Sequence, residues 1–66
     1  MAFGVVKSFN EEEGYGFIVT DEGEHLFVHH SSILMEGFRT LSPGARVSFD
    51  VVSGKRGPEA REVRTI

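Results

Sequence analysis

Residues 14–30 read GYGFIVTDEGEHLFVHH, which is the pattern of two short strands joined by a tight turn. The first run, Tyr15–Thr20, is rich in aromatic and β-branched residues, and these favour strands. Asp21–Gly23 supplies the residue types of a turn, and a second run follows at about Glu24–His29. The stretch therefore predicts a β-hairpin.

The two faces of this hairpin differ in chemistry, because side chains alternate between the faces of a strand. One face collects aliphatic side chains suited to a core, together with two glycines: Gly14, Gly16, Ile18, Leu26 and Val28. The other face collects a valine and four rings: Val19, Tyr15, Phe17, Phe27 and His29. If the aliphatic side chains are buried, the rings lie together on the outside of the hairpin.

An alternative arrangement buries Phe17 and Phe27 and turns the aliphatic side chains toward a second layer. We favour exposed rings, because a chain this short buries only about 60% of its unfolded surface and cannot cover both faces of its sheet. Exposed clusters of large apolar groups mark contact sites, and nucleobases stack on such rings. Gly14 and Gly16 then either allow close approach of a base or permit tight curvature of the sheet, and the sequence leaves both open.

The rest of the chain predicts three more strands, at Phe3–Asn10, Arg46–Val52 and about Glu59–Thr65. In the second of these, Val47, Phe49 and Val51 should share one face. Residues 31–45 lack strand alternation and predict a short helical turn followed by a long loop. Five short strands in one 66-residue domain (1–66) favour a closed barrel. We expect an all-β, five-stranded antiparallel Greek-key barrel of the OB-fold, with an SH3-like barrel as the competitor.

Composition limits the possible functions. The absence of cysteine excludes disulfides, thiolate metal ligands and cysteine nucleophiles. No run approaches the ~20 apolar residues of a membrane span, and the first residues lack the pattern of a signal peptide, so we expect a cytoplasmic protein. A net charge of −3 is unusual for a nucleic-acid-binding protein, although one face can still be locally neutral or basic. Three glutamates, Glu11, Glu12 and Glu13, precede the ring-bearing strand.

Three histidines and two serines raise the questions of metal binding and catalysis. His29 and His30 are neighbours and should point to opposite faces of a strand, and structural zinc normally needs four ligands, so His25, His29 and His30 predict no metal site. Ser31 and Ser32 next to these histidines suggest a hydrolase. However, a catalytic triad needs an orienting acid and an oxyanion site, and helix capping is a simpler use of the serines. We expect no enzyme and no cofactor.

Several ordered motifs resemble those of the bacterial cold-shock protein family. GYGFI (14–18) and LFVHH (26–30) are similar to its two ribonucleoprotein motifs, and further matches are VKSFN (6–10), EGFRTL (36–41), GARVSFDV (44–51) and GKRGPEA (54–60). The resemblance covers the whole chain. It implies an OB barrel that binds single-stranded RNA and DNA, pyrimidine-rich strands in particular. It further implies roles as an RNA chaperone and regulator of expression, in a monomer, with a domain-swapped dimer as the alternative.

The resemblance also implies which residues bind: Lys7, Phe9, Tyr15, Phe17, Phe27, His29, His30, Phe38 and Arg56. Three positions depart from the family pattern. Ser8 replaces the usual tryptophan, Glu13 replaces the usual lysine, and His30 replaces a phenylalanine or tyrosine. The first removes a stacking ring and the second reverses a charge, whereas a histidine ring still stacks. We therefore expect weakened binding, with a protein-interaction module as the alternative function.

Strand one contains a conflict between alternation and resemblance. Alternation places Ser8 on the same face as Val6, a core candidate. The resemblance, however, implies that position 8 and Phe9 both contact the ligand. A bulge in this strand would reconcile the two.

Overall fold

The computed structural model describes residues 2–34, 40–55 and 57–66. Its strands are β1 (Ala2–Asn10), β2 (Tyr15–Thr20), β3 (His25–His29), β4 (Arg46–Gly54) and β5 (Gly57–Thr65), with a 3-10 turn at His30–Ser32. These bounds lie within two residues of the predicted ones. The predicted helical turn is the 3-10 turn, and part of the loop after it lies outside the described residues. Within these ranges no helix is long and apolar enough to cross a membrane.

The strands form a closed barrel in the order β1-β2-β3-β5-β4. Four of the neighbouring pairs are antiparallel, and the pair of β3 with β5 is parallel, with Phe27 opposite Glu59. An odd number of strands cannot alternate in direction all the way around a closed ring, so one pair has to be parallel. The predicted five-stranded all-β barrel is confirmed, with this one parallel seam. The Greek-key connection stays a prediction.

The interior of the barrel is filled by apolar side chains from every strand and from the segment after β3. They are Val6, Ile18, Leu26, Val28, Ile33, Leu41, Val47, Phe49, Ala60 and Val63. In β4 the predicted alternation holds for Val47 and Phe49. Val51 continues it, since it pairs with buried Ala60, but its side chain is 51% exposed.

A bulge in β1 changes which side chains face outward. Val6 pairs with Ile18 and Ser8 pairs with Phe17, so that Lys7 is an extra residue in β1. An extra residue reverses the alternation of a strand. Val6 is therefore buried while Ser8 is exposed, and the predicted bulge is confirmed.

Gly14 and Gly16 serve the packing of the barrel itself. A Cβ atom on Gly16 would collide with the carbonyl oxygen of Ser8 and would lie 2.7 Å from Cα of Phe9. Gly14 has a φ of +77°, and a Cβ atom there would lie 2.6 Å from the His30 ring. Both glycines are buried. The structure thus shows a use besides the two that the sequence left open, which is close packing of the protein chain around both glycines.

Candidate nucleic-acid interface

The outer surface of β1, β2 and β3 is organised in three rows of directly opposed residues. Opposed residues of neighbouring strands share a face and contact one another. Row one is Asn10, Tyr15 and His29; row two is Ser8, Phe17 and Phe27; row three is Val5, Val19 and His25. The register thus brings together the four predicted rings, Tyr15, Phe17, Phe27 and His29, which we call the ring face.

Phe27 is the centre of the ring face. Tyr15 stacks on it with ring centroids 5.5 Å apart and an interplanar angle of 28°. Phe17 meets it edge-on at 6.0 Å and 78°. The Phe17 side chain is 40% exposed, and Tyr15 and Phe27 are half-buried. The alternative in which Phe17 and Phe27 belong to the core is therefore excluded, and the rings offer flat apolar surface to solvent.

His29 and His30 lie at one end of this surface, with ring centroids 4.3 Å apart. The prediction that they point to opposite faces is wrong, because β3 ends at His29 and His30 begins the 3-10 turn. The His30 ring also covers Gly14. Despite this proximity, no group of three or more metal-ligating side chains occurs in the part of the chain that the structure describes.

A local turn holds His29 in place. Its Nδ1 accepts the backbone N–H of Ser31 at 3.2 Å and lies 2.9 Å from the Ser31 hydroxyl oxygen. His29, rather than either serine, is thus the N-cap of the 3-10 turn. Ser31 and His29 belong to one turn, and Nδ1 of His29 contacts both the backbone N–H and the hydroxyl of Ser31. This arrangement orients the His29 ring and caps the 3-10 turn.

The β1 side of the surface carries the remaining predicted contacts. Lys7 is exposed at the bulge, and Ser8 lies opposite Phe17. Phe9 lies opposite Gly16, where its half-buried ring packs against the core. It therefore does not share the outer face with Phe17. Phe38 and Arg56, also predicted, lie outside the described residues.

The acidic turn between β1 and β2 borders row one. Glu13 is exposed, and its backbone N–H donates to Oδ1 of Asn10 at 3.0 Å. Glu11, in the same turn, accepts a hydrogen bond from the Thr40 hydroxyl at 3.0 Å. It thereby joins this turn to the segment before β4. Of the acidic residues, Glu13 lies nearest in sequence to the rings.

A groove of about 510 Å³ runs along the other side of the ring face, where β3 and β5 separate. The two strands are paired at Phe27 and Glu59, and after the 3-10 turn the chain meets β5 again through a bridge between Ile33 and Val63. Between these points the groove is lined by His29, Ser31 and Arg61, among others. The ring face thus has a concave, polar border that carries one arginine and two carboxylates, Glu59 and Glu62.

An ion pair closes the far end of the hairpin. Arg46 donates two hydrogen bonds to the Asp21 carboxylate, at 2.6 and 2.8 Å. The hydrogen bond to Arg46 lowers the pKa of Asp21, and the same contact raises the pKa of Arg46. The guanidinium carbon of Arg46 also lies 5.9 Å from the centroid of the Phe3 ring.

Sequence reasoning did not include Val5, Val19 and His25 in the site, although row three places them beside the rings. Alternation alone puts His25 on the face of Phe27 and His29. The turn at Asp21–Gly23 then sets Val19 opposite His25. The signal for these two residues was present in the sequence, whereas the place of Val5 depends on the bulge at Lys7.

Comparisons with known proteins agree with this geometry. Residues 2–66 match the model of the 'Cold-shock' DNA-binding domain. A cold shock-like protein CspA of Stigmatella aurantiaca is 52% identical over 67 residues, covering 100% of this chain and 98% of that protein. A cold shock-like protein of Thermotoga maritima is 51% identical over 63 residues, covering 96% of each. A major cold shock protein of Streptococcus pyogenes serotype M1 is 53% identical over 60 residues, covering 91% of this chain and 90% of that protein.

Among solved structures, the Drosophila Unr CSD456 chain has a TM-score of 0.80 to this barrel at 24% identity. The match covers 98% of this chain and 26% of that chain, and it shows a shared fold. The fold, the outward rings and the full-length sequence matches lead to one conclusion: this chain belongs to the 'Cold-shock' DNA-binding domain family of nucleic-acid-binding proteins.

Proposed function

We propose that this chain binds single-stranded RNA and DNA by stacking bases on the ring face. The observation that carries the proposal is the cluster of Tyr15, Phe17 and Phe27 in mutual contact on the outside of the barrel. Aromatic side chains stack on bases with about 1–3 kcal/mol per base, largely independent of sequence. In the cytoplasm such binding keeps RNA single-stranded, which is the action of an RNA chaperone and of a regulator of transcription and translation.

The ligand is a single strand, because the bases of a duplex hide their faces in the stack. Pyrimidine-rich strands are favoured, as the resemblance to the cold-shock family implies, and such preferences arise from stacking strength and backbone flexibility. The binding unit is a monomer, because the ring face is complete within one chain.

The predicted residues take different parts in this proposal. Tyr15, Phe17, Phe27 and His29 stack on bases, and His30 extends the stacking surface next to His29. Lys7 contacts phosphate from the bulge. Phe9 packs beside Gly16 on the core side and presents only the edge of its ring to the nucleic acid. Phe38 and Arg56 are assigned to base and backbone contacts on the strength of the family resemblance.

Binding is weaker than is usual for the family. Ser8 lies opposite Phe17 on row two, so that a ring is missing where the family has tryptophan. Glu13 places a negative charge near row one, where a cation would favour phosphate. These two residues attenuate the site but do not change its geometry.

The test is a titration of a fluorescently labelled oligopyrimidine at low salt, as a single strand and as a duplex. We expect saturable binding that prefers the single strand. Absence of binding, or equal affinity for the duplex, would contradict the proposal. If crosslinking in cells instead recovers a stoichiometric protein partner without RNA, the barrel is a protein-interaction module.

A further inference from the structure

The outer surface that carries the rings continues beyond β1 onto β4. Val5 of row three pairs with Val19 on one side and with Arg46 of β4 on the other. Row three therefore crosses four strands, in the order His25, Val19, Val5 and Arg46. The bulge at Lys7 separates row two from row three on β1, and beyond it β1 pairs regularly with β2 and β4.

A fourth row follows on β1, β4 and β5. Phe3 pairs with Ser48, and Ser48 pairs with Arg64. Phe3 is 41% exposed, Arg64 is exposed, and the Arg46 guanidinium lies over the Phe3 ring. We call this surface, composed of Phe3, Val5, Arg46 and Arg64, the β1–β4 patch.

We propose that the β1–β4 patch is a second contact region for the nucleic acid. A single-stranded ligand reaches this patch after it leaves the ring face at row two. The inference rests on the function proposed above. Phe3 is roughly 14 Å from Phe17, counting two residue steps along each strand and one step between strands. A longer oligonucleotide can therefore bridge the two surfaces, whereas a short one covers the ring face alone.

The chemistry of the patch favours nucleic acid over an apolar protein surface. Guanidinium groups bind phosphate through two parallel hydrogen bonds and stack on bases, and an exposed ring beside them adds a second stacking surface. Two of the seven cations of an acidic chain lie in this patch: Arg46 lies over the Phe3 ring, and Arg64 lies in the same row as Phe3, with Ser48 between them. The patch also continues the surface on which the rings lie.

Neighbouring carboxylates limit the strength of this contact. Asp21 already holds Arg46, so a phosphate has to share that guanidinium. Asp50 and Glu62 line the same depression as Arg64. We therefore expect the patch to add a several-fold gain in affinity, with Arg64 providing the larger part of its salt dependence.

The experiment compares labelled oligothymidines of about six and about twelve nucleotides, which bracket the site sizes of OB barrels. In the wild-type protein the longer strand should bind several-fold more tightly. Arg64→Gln and Phe3→Ser should each reduce this gain and leave the affinity for the short strand unchanged. Arg64→Gln should also lower the salt slope of the long strand by about 0.7, the value of one phosphate contact.

Arg61→Gln is the matched control, because it removes the same charge from the same strand but lines the groove beside His29. Arg61→Gln has to preserve the gain in affinity that the longer oligothymidine shows over the shorter one. An equal gain in the wild type, Arg64→Gln and Phe3→Ser would overturn the inference. So would a concentration-dependent dimer that Phe3→Ser abolishes, since the patch would then bind a second copy. If neither strand binds the wild type, the proposed function itself fails.

Discussion

One extra residue in β1, Lys7, determines which side chains of this strand can meet a ligand. If Lys7 were paired regularly, without the bulge, Ser8 would face the core with Val6, and row two would lose its β1 member. With it, Ser8 lies beside the Phe17 ring, and Phe9 turns toward Gly16. The sequence could raise the conflict between alternation and family resemblance, but only the register against β2 locates the bulge.

The rings of row two should carry a large part of the binding energy. We predict that Phe17→Ala and Phe27→Ala each weaken binding of an oligothymidine by about 1–3 kcal/mol, because each removes a stacking surface. The measurement is a fluorescence titration at fixed salt. Val51→Ala, an exposed position at the end of the barrel, is the control and should bind like the wild type. Full affinity in both ring variants would refute the ring face as the binding site.

Restoring the family residues at the two departures should strengthen binding. Ser8→Trp adds a ring opposite Phe17, and Glu13→Lys replaces a repulsive charge. We predict that the double variant binds at least tenfold more tightly, which is about 1.4 kcal/mol. Ser53→Trp adds the same ring at the far end of β4 and should change nothing. No change in the double variant would mean that positions 8 and 13 do not face the ligand.

Gly16 is a position where stability depends on the absence of a side chain. A methyl group there would collide with the Ser8 carbonyl oxygen of the neighbouring strand, so we predict that Gly16→Ala lowers the free energy of unfolding by about 2–3 kcal/mol. Gly23→Ala is the control, because it meets no atom within 4 Å and costs only about 1 kcal/mol for its positive φ. Urea denaturation measures both, and equal losses would contradict the packing role of Gly16.

At the scale of elements, the β2–β3 hairpin was predictable almost completely. Its aliphatic and aromatic residues alternate in phase, so one register buries the first set and exposes the second. The predicted end of β3 at His29 is confirmed, but the position of the His30 ring was not predictable, because the metal argument treated His29 and His30 as neighbours on one strand. In the structure, the Ser31 N–H donates a hydrogen bond to Nδ1 of His29, and the 3-10 turn begins at the next residue, His30. That turn brings the two imidazole rings into contact.

The Asp21–Arg46 pair joins the hairpin turn to β4 and should make stability depend on acid. The hydrogen bond to Arg46 lowers the pKa of Asp21, so the folded state binds a proton less readily than the unfolded chain. The contribution of the pair is present above the ordinary aspartate pKa of about 4 and is lost as the pH falls through the lower, folded value.

We predict that Asp21→Asn reduces the acid dependence of the thermal midpoint below about pH 4, with little effect near neutrality, because the pair is exposed. Glu22→Gln changes a neighbouring exposed carboxylate and should keep the wild-type profile. Identical profiles for Asp21→Asn and the wild type would show that the pair does not contribute.

At the scale of the whole molecule, the sequence predicts the barrel but not all of its neighbour relationships. Alternation within a strand shows which residues share a face, and it does not show which strand lies alongside. The pairing of Phe3 with Ser48 joins residues far apart in the chain, and no local sequence pattern predicts it. The β1–β4 patch therefore escapes sequence analysis, whereas the ring face, built from one hairpin, does not.

Because the net charge is −3, we expect stacking rather than phosphate contact to provide most of the affinity. We predict that the logarithm of the binding constant for a short oligothymidine falls with the logarithm of salt concentration with a slope of about −1.4 to −2, as for two or three phosphate contacts. A slope several times steeper would show that electrostatic contacts dominate and that the ring face is secondary.

The most direct test of the account uses Tyr15, the only tyrosine of a chain that has no tryptophan. Its emission reports on the ring face itself, because Tyr15 stacks on Phe27. Titration with a single-stranded oligothymidine, corrected for absorption by the nucleic acid, should quench this emission saturably, and a duplex of the same sequence should not. A Tyr15 signal that stays unchanged while a labelled single strand is bound would show that the nucleic acid binds elsewhere on the barrel.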